Sequence, residues 1–163
     1  MRHCSARSPP VARPTSRFSG EAGVSAEVAL AAALAGEHAA IYGYGVLGAH
    51  LTGPALVQAR QAEAAHRNRR DALLEMAWPA GASPPVAEPA YALPFPVIDP
   101  ASALRLALQI EERTAAIWRA VLPVTTGGQR RTGLDALTDA AVRAARWRRA
   151  TGKNPGTVAL PGT

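Results

Sequence analysis

The stretch QARQAEAAHRNRRDALLEMA, residues 58–77, holds Glu63 and His66 within a helical pattern. Residues three apart lie on one face of a helix, so this pair points together into whatever the helix packs against. The stripe Leu56, Ala59, Glu63, His66, Arg70, Leu73 and Ala77 recurs at intervals of three and four. Arg70 shares that face, one turn beyond the pair, while Arg67 and Arg69 are assigned to solvent. Thr52-Gly53-Pro54 precedes the stretch, and Pro54 suits the first helical position, where a missing N–H costs nothing. The pattern predicts a helix over residues 54–77.

Two neighbouring segments each set one carboxylate in an apolar stripe. Upstream, a helix is expected over residues 26–51, with Ser25 as N-cap and Glu27 in the first turn. Its stripe is Leu30, Leu34, Glu37, Ile41, Tyr44, Gly48 and Leu51. The short break at 52–54 makes these first two helices antiparallel neighbours. Gly36, Gly43, Gly45 and Gly48 each cost about 1 kcal/mol against Ala in a helix interior, which points to another helix approaching closely or to a bulge. Downstream, Asp99-Pro100 starts a helix expected over 100–122, with the stripe Leu104, Leu108, Glu111, Ala115, Trp118 and Leu122. Glu112 lies about 100° round from Glu111 and reads as exposed.

A fourth helix is expected over 132–150, after a loop holding Gly127-Gly128. Thr132 and Asp135 have capping-box spacing, Leu134, Leu137, Ala141 and Ala144 form the inward face, and Gly152 ends it. Between the second and third helices, residues 78–99 read WPAGASPPVAEPAYALPFPVID. The prolines forbid a long helix and favour extended backbone. Tyr91, Leu93, Phe95, Val97 and Ile98 should nonetheless pack across the helices, because a loop this long needs such a reason.

Composition agrees. Of 163 residues 48% are apolar and only 5% aromatic, which favours Ala-rich helices over an aromatic-rich β core. The length suits one domain: a bundle over 24–150, flanked by a basic, Pro/Ser-rich tail at 1–23 that reads as disordered and an extended tail at 151–163. Cys4 is the single cysteine, so no intramolecular disulfide forms, and the chain is expected in the cytoplasm. No run approaches the roughly 18 apolar residues of a membrane span, and residues 1–23 lack the apolar core of a signal peptide. The charge of +6 comes almost wholly from arginine, with Lys153 the only lysine.

Four amphipathic helices with a long crossover between the second and third match ferritin-like topology. The motifs GEHAAIYGYGVLGAHL, HRNRRDAL, YALPFPV and ARWRRATG together resemble an actinobacterial ferritin-like domain family of unknown function, over residues 26–163. The resemblance implies an all-α four-helix bundle and supplies neither substrate nor reaction.

In di-iron sites of that superfamily, single Glu residues combine with Glu-x-x-His motifs from other helices. Matched residue by residue, Glu37, Glu63, His66 and Glu111 fall in such positions and could hold iron or manganese. The match thins at Thr114, where a second His would stand, and on the fourth helix, which has neither Glu nor His. Carboxylates gathered in a dry interior need a cation or protons. Arg70 could supply the charge instead of a metal, giving a non-catalytic bundle with an ion-paired core. A third reading takes Arg143, Arg146 and Arg149, recurring every three residues, as a nucleic-acid surface, although cations near a helix C-terminus are favoured by its dipole anyway. A homodimer through the helix faces is the partner reading. No phosphate-binding Gly loop and no nucleophile elbow occurs, which points away from an enzyme, with oxidation or metal handling at an iron or manganese site as the alternative.

Overall fold

The computed structural model describes residues 25–76, 78 and 81–163; among these there are four long α-helices and no strand. The expectations for residues 1–23, including Cys4, and for Ala77 lie outside the described residues.

Helix α1, Ala26–Gly48, opens as expected: Ser25 Oγ accepts from the Val28 N–H at 3.2 Å and Glu27 sits in the first turn. It stops three residues earlier than the apolar pattern, although Leu51 beyond it is still buried. Helix α2, Gly53–Glu75, starts at an extended Thr52, and Gly53 turns the chain at φ +55°, a conformation that glycine adopts without steric cost. Helix α3, Pro100–Val121, has a reciprocal cap: the Ser102 N–H donates to Asp99 Oδ1 at 2.7 Å, and the Asp99 N–H donates to Ser102 Oγ at 3.1 Å. It passes into a single 3-10 turn at Leu122–Val124. Helix α4, Gly127–Ala150, begins five residues before the expected start. Thr126 is its N-cap, so Gly127-Gly128 forms its first turn rather than a loop, and Thr132 and Asp135 lie inside it.

The glycines reveal the helix directions. A Cβ on Gly36 would stand 2.7 Å from Ile117 Cδ1, and one on Gly43 equally close to Ile110 Cδ1, so α1 and α3 run antiparallel and closely. Gly45 faces open space and Gly48 only Leu56, so two of the four glycines serve the approach. Gly133 of α4 lies against Val121 at the end of α3 and Leu122 just beyond it, and Arg148 further along α4 pairs with Glu112 earlier in α3, which makes that pair antiparallel too. Since α1 also opposes α2, helices α2 and α3 are parallel, and residues 81–99 lead back along the molecule to the start of α3.

That connection alternates as an extended chain does. Tyr91, Leu93, Phe95 and Val97 turn inward, while the residues between them turn out. Leu93, Phe95 and Val97 pack on the core, the Tyr91 ring lies 5.6 Å from Tyr42, and Arg105 sits over Phe95 at 5.1 Å. Ile98, expected to pack, is 75% exposed because it falls on the outward register. The C-terminal segment lies on α3 through Gly162, whose carbonyl accepts from Arg119 at 2.9 Å, whereas Leu160 remains largely exposed.

On α4 the buried stripe is Gly133, Ala136, Ala140, Ala144 and Trp147. Leu134, expected inside, is 52% exposed. Small residues won the inward face because they let α4 approach α3. The core consists of two apolar clusters. One is built on Leu30, Leu34, Leu73, Trp118, Val121 and Ala136, the other on Tyr44, Leu47, Ala62, Leu106, Leu108 and Trp147. Between the two clusters each of α1, α2 and α3 buries an ionisable residue: Glu37, His66 and Glu111. No described helix is long and apolar enough to cross a membrane.

Candidate functional site

The polar layer between the two apolar clusters is assembled from one side chain per helix. Glu37 of α1, His66 of α2 and Glu111 of α3 are 1%, 0% and 0% exposed. Each sits at mid-length of a helix whose neighbouring turns carry the apolar stripe, so packing of the stripes drives the three together. His66 Nδ1 lies 2.6 Å from Glu37 Oε2, and Nε2 lies 3.3 Å from Glu111 Oε1. The imidazole therefore bridges two carboxylates and uses both nitrogens.

Aromatic donors complete the inner ring. The Trp118 indole N–H donates to Glu37 Oε1 at 2.7 Å, and the Tyr44 hydroxyl donates to Glu111 Oε1 at 2.7 Å. Tyr44 in turn accepts from the Trp147 N–H at 3.0 Å, which ties α4 into the layer. Glu111 Oε2 is buried and has no hydrogen-bond partner among the described residues.

A second ring of charge closes the network toward solvent. Arg69 NH1 stands 3.7 Å from Glu37 Oε1, and its NH2 donates to Asp139 of α4. Asp139 also accepts from Arg143 at 2.6 Å. Three carboxylates, Glu37, Glu111 and Asp139, thus face three basic groups, His66, Arg69 and Arg143. Burial alone would lower the His66 pKa, but hydrogen bonds to Glu111 and Glu37 outweigh it and raise the value above 6.5. The two carboxylates thus favour the protonated imidazole over the neutral one relative to a free histidine, while Arg69 NH1, 3.4 Å from His66 Nδ1, adds a further cation beside the ring. Burial pushes the Asp139 carboxyl up, yet Arg143 and Arg69 hold it below 3.8. Burial, reinforced by the Glu111 charge, lifts the Tyr44 phenol well above 10.0, so it stays a neutral donor.

Of the four carboxylate and imidazole positions named from the sequence, Glu37, His66 and Glu111 meet and Glu63 does not. Glu63 lies on the flank of α2 and pairs with Arg67 at 2.5 Å, one turn away along the surface. Arg70, expected to neutralise the acids, pairs with Asp71 at 2.7 Å instead. Arg69, assigned to solvent, takes its place with only 10% of its side chain exposed. The cause is a rotation of α2. Ala59, His66 and Leu73 are common to two stripes, and the buried one runs through Ala62 and Arg69 rather than Glu63 and Arg70. The signal was present: Glu63 and Arg67 have the i,i+4 spacing of a surface ion pair, and Ala62 is cheaper to bury.

On α4, Arg143 turns inward to Asp139, while Arg146 and Arg149 remain exposed, so the three do not form one surface. Arg148 pairs with Glu112 of α3. His38 is packed, with Nε2 unpartnered among the described residues.

Chemically the layer is a proton-sharing lattice shut off from solvent, with no nucleophile set against a base. A histidine that ligates a metal must offer a lone pair. Both nitrogens of His66 are committed to carboxylates, and Glu37 is further engaged by Trp118 and Arg69. With Glu63 turned away, the arrangement does not fit a metal centre, and no metal-ligand group of three is formed among the described residues.

Comparison with solved structures finds a conserved hypothetical protein, rv2844, from Mycobacterium tuberculosis. It shares 41% identity and a TM-score of 0.71, over 77% of this chain and 96% of that one. No curated protein matches. Residues 29–163 match the profile described as a domain of unknown function, DUF4439. That span takes in the four helices apart from the first three residues of α1, and every residue of the buried network, and the chain belongs to the DUF4439 family.

Proposed function

We propose that the four helices form a ferritin-like four-helix bundle that works as a non-catalytic, cytoplasmic scaffold, its mid-level acids neutralised from within the chain. The ferritin-like topology is supported by parallel α2 and α3 joined by the long crossover. The carrying observation is His66 clamped through both nitrogens between Glu37 and Glu111, with Arg69 beside Glu37. In this reading an imidazolium and a guanidinium stand where a di-metal protein has its cations. The network's task is then to fix the pairing of helices, since buried charges are satisfied in only one arrangement.

The competing reading, iron or manganese on Glu37, Glu63, His66 and Glu111, has one observation in its favour, the unpartnered Glu111 Oε2. It requires Glu63 to abandon Arg67 and swing inward, and His66 to release a carboxylate. Metal analysis of untagged protein after reconstitution with Fe(II) and with Mn(II) separates the two. We expect stoichiometry near zero. Stoichiometric metal that is lost in Glu37→Ala and Glu63→Ala variants would overturn the scaffold reading.

A further inference from the structure

We propose that a notch on the seam between α2 and α4 binds a tetrahedral oxyanion, the phosphate group of a small molecule. The notch is lined by Gln58 and Gln61 of α2 and by Arg143, Arg146 and Trp147 of α4, and has a volume of about 50 Å³. Gln58 and Gln61 are three residues apart, as are Arg143 and Arg146, and residues at that spacing share a helix face. Two antiparallel helices therefore each present a pair of polar ends to one small space.

The lining is donor-rich and holds no carboxylate. A guanidinium offers five N–H donors and an amide two. Arg143 uses NH1 on Asp139 and keeps its other donors. Arg146 is exposed and makes no ion pair among the described residues. Neither glutamine side chain is engaged within the described structure, and both are exposed, so their amides are free to turn their N–H₂ groups inward. The Trp147 N–H is taken by Tyr44, which leaves the indole ring as the floor. A space of this volume, against the roughly 10–15 Å³ that one water requires on the same measure, takes one small group rather than a nucleobase. Arg149, one turn beyond Arg146 and also exposed, does not line the notch. Convergent planar and amide donors around one anion-sized space suit phosphate oxygens. Arg143 and Trp147 also belong to the buried network, so the test rests on Arg146, Gln58 and Gln61, which are exposed and make no bond to Glu37, His66 or Glu111.

The test is binding of inorganic phosphate and of a phosphate monoester to the full chain, followed by ³¹P line broadening at fixed ionic strength with chloride as the balancing anion. We expect saturable binding that weakens at least tenfold in Arg146→Gln and in the Gln58→Ala, Gln61→Ala double variant, and that is unchanged within twofold in Arg149→Gln. Arg146 and both glutamines are exposed, so these variants keep the fold, which circular dichroism verifies. A single-stranded oligonucleotide forms a second arm. If it displaces phosphate and shows the same variant pattern, the bound phosphate is a backbone phosphate and the notch stands. Phosphate binding no stronger than chloride, or losses equal in Arg149→Gln and Arg146→Gln, would overturn the proposal in favour of diffuse surface charge.

Discussion

Glu37 Oε2 and His66 Nδ1 meet at 2.6 Å with neither side chain open to solvent, so α1 and α2 are joined by a charge-assisted bond at the centre of the core. The same imidazole reaches Glu111 on α3, and Arg69, one turn along α2, carries the contact to Asp139 on α4. Every helix is thereby tied to the others at one level.

This bond predicts a pH profile. The His66 pKa is raised in the folded protein, so its contribution is complete below pH 6.5 and is lost as pH rises through the folded value. In that window the native state keeps a proton that the unfolded chain has released. Asp139 works in the other direction: its lowered pKa gives stability present above pH 3.8 and lost as acid titrates it. Urea midpoints should be highest between these limits and decline on the alkaline side. In His66→Gln the alkaline decline should vanish; a profile identical to the parent chain would remove His66⁺ from the account.

Adjacent arginines should behave very differently. Arg69→Met leaves the buried Glu37 short of a cation, while the half-exposed Asp139 keeps Arg143, and should cost about 2 kcal/mol. Arg70→Met breaks a pair with exposed Asp71 and should cost about 0.5 kcal/mol. Glu63→Ala removes a surface pair and belongs with Arg70→Met. Denaturant midpoints of the three variants check the order, and equal losses for Arg69 and Arg70 would mean that α2 is rotated from the position described.

Glycines on α1 divide in the same way. Gly45 faces open space, so Gly45→Ala should stabilise by up to about 1 kcal/mol through helix propensity alone. At Gly43 an added Cβ would stand 2.7 Å from Ile110 Cδ1. A bulkier Gly43→Val forces α1 and α3 apart and should cost about 2 kcal/mol. Thermal melts of the two variants should move in opposite directions.

Tyr44 links the acid layer to α4. Tyr44→Phe takes the donor from Glu111 and the acceptor from the buried Trp147 N–H, and should cost about 2 kcal/mol. Alkaline difference spectroscopy should find this phenol un-ionised until the chain unfolds, because burial and Glu111 hold its pKa well up. Ionisation of every tyrosine in the native protein would contradict that environment.

Much of this molecule is legible in the amino-acid order. The stripes of α1 and α3, the caps at Ser25 and Asp99, and the placing of Glu37 and Glu111 each within an apolar stripe follow from helical periodicity and capping chemistry. Those signals are local, since each depends on residues within a few positions of one another. The partner of the acids was not local. On α2 two stripes share Ala59, His66 and Leu73, and spacing alone allows either Arg69 or Arg70 to face inward. On α4 Leu134 outweighed Gly133 and Ala136 by hydropathy, yet the small residues went inside because closeness to α3 mattered more, and Leu137 packs only at the edge of the core. Rotation of a helix about its axis is set by the surfaces it meets, through volume and charge compensation, and only the packed molecule contains those surfaces.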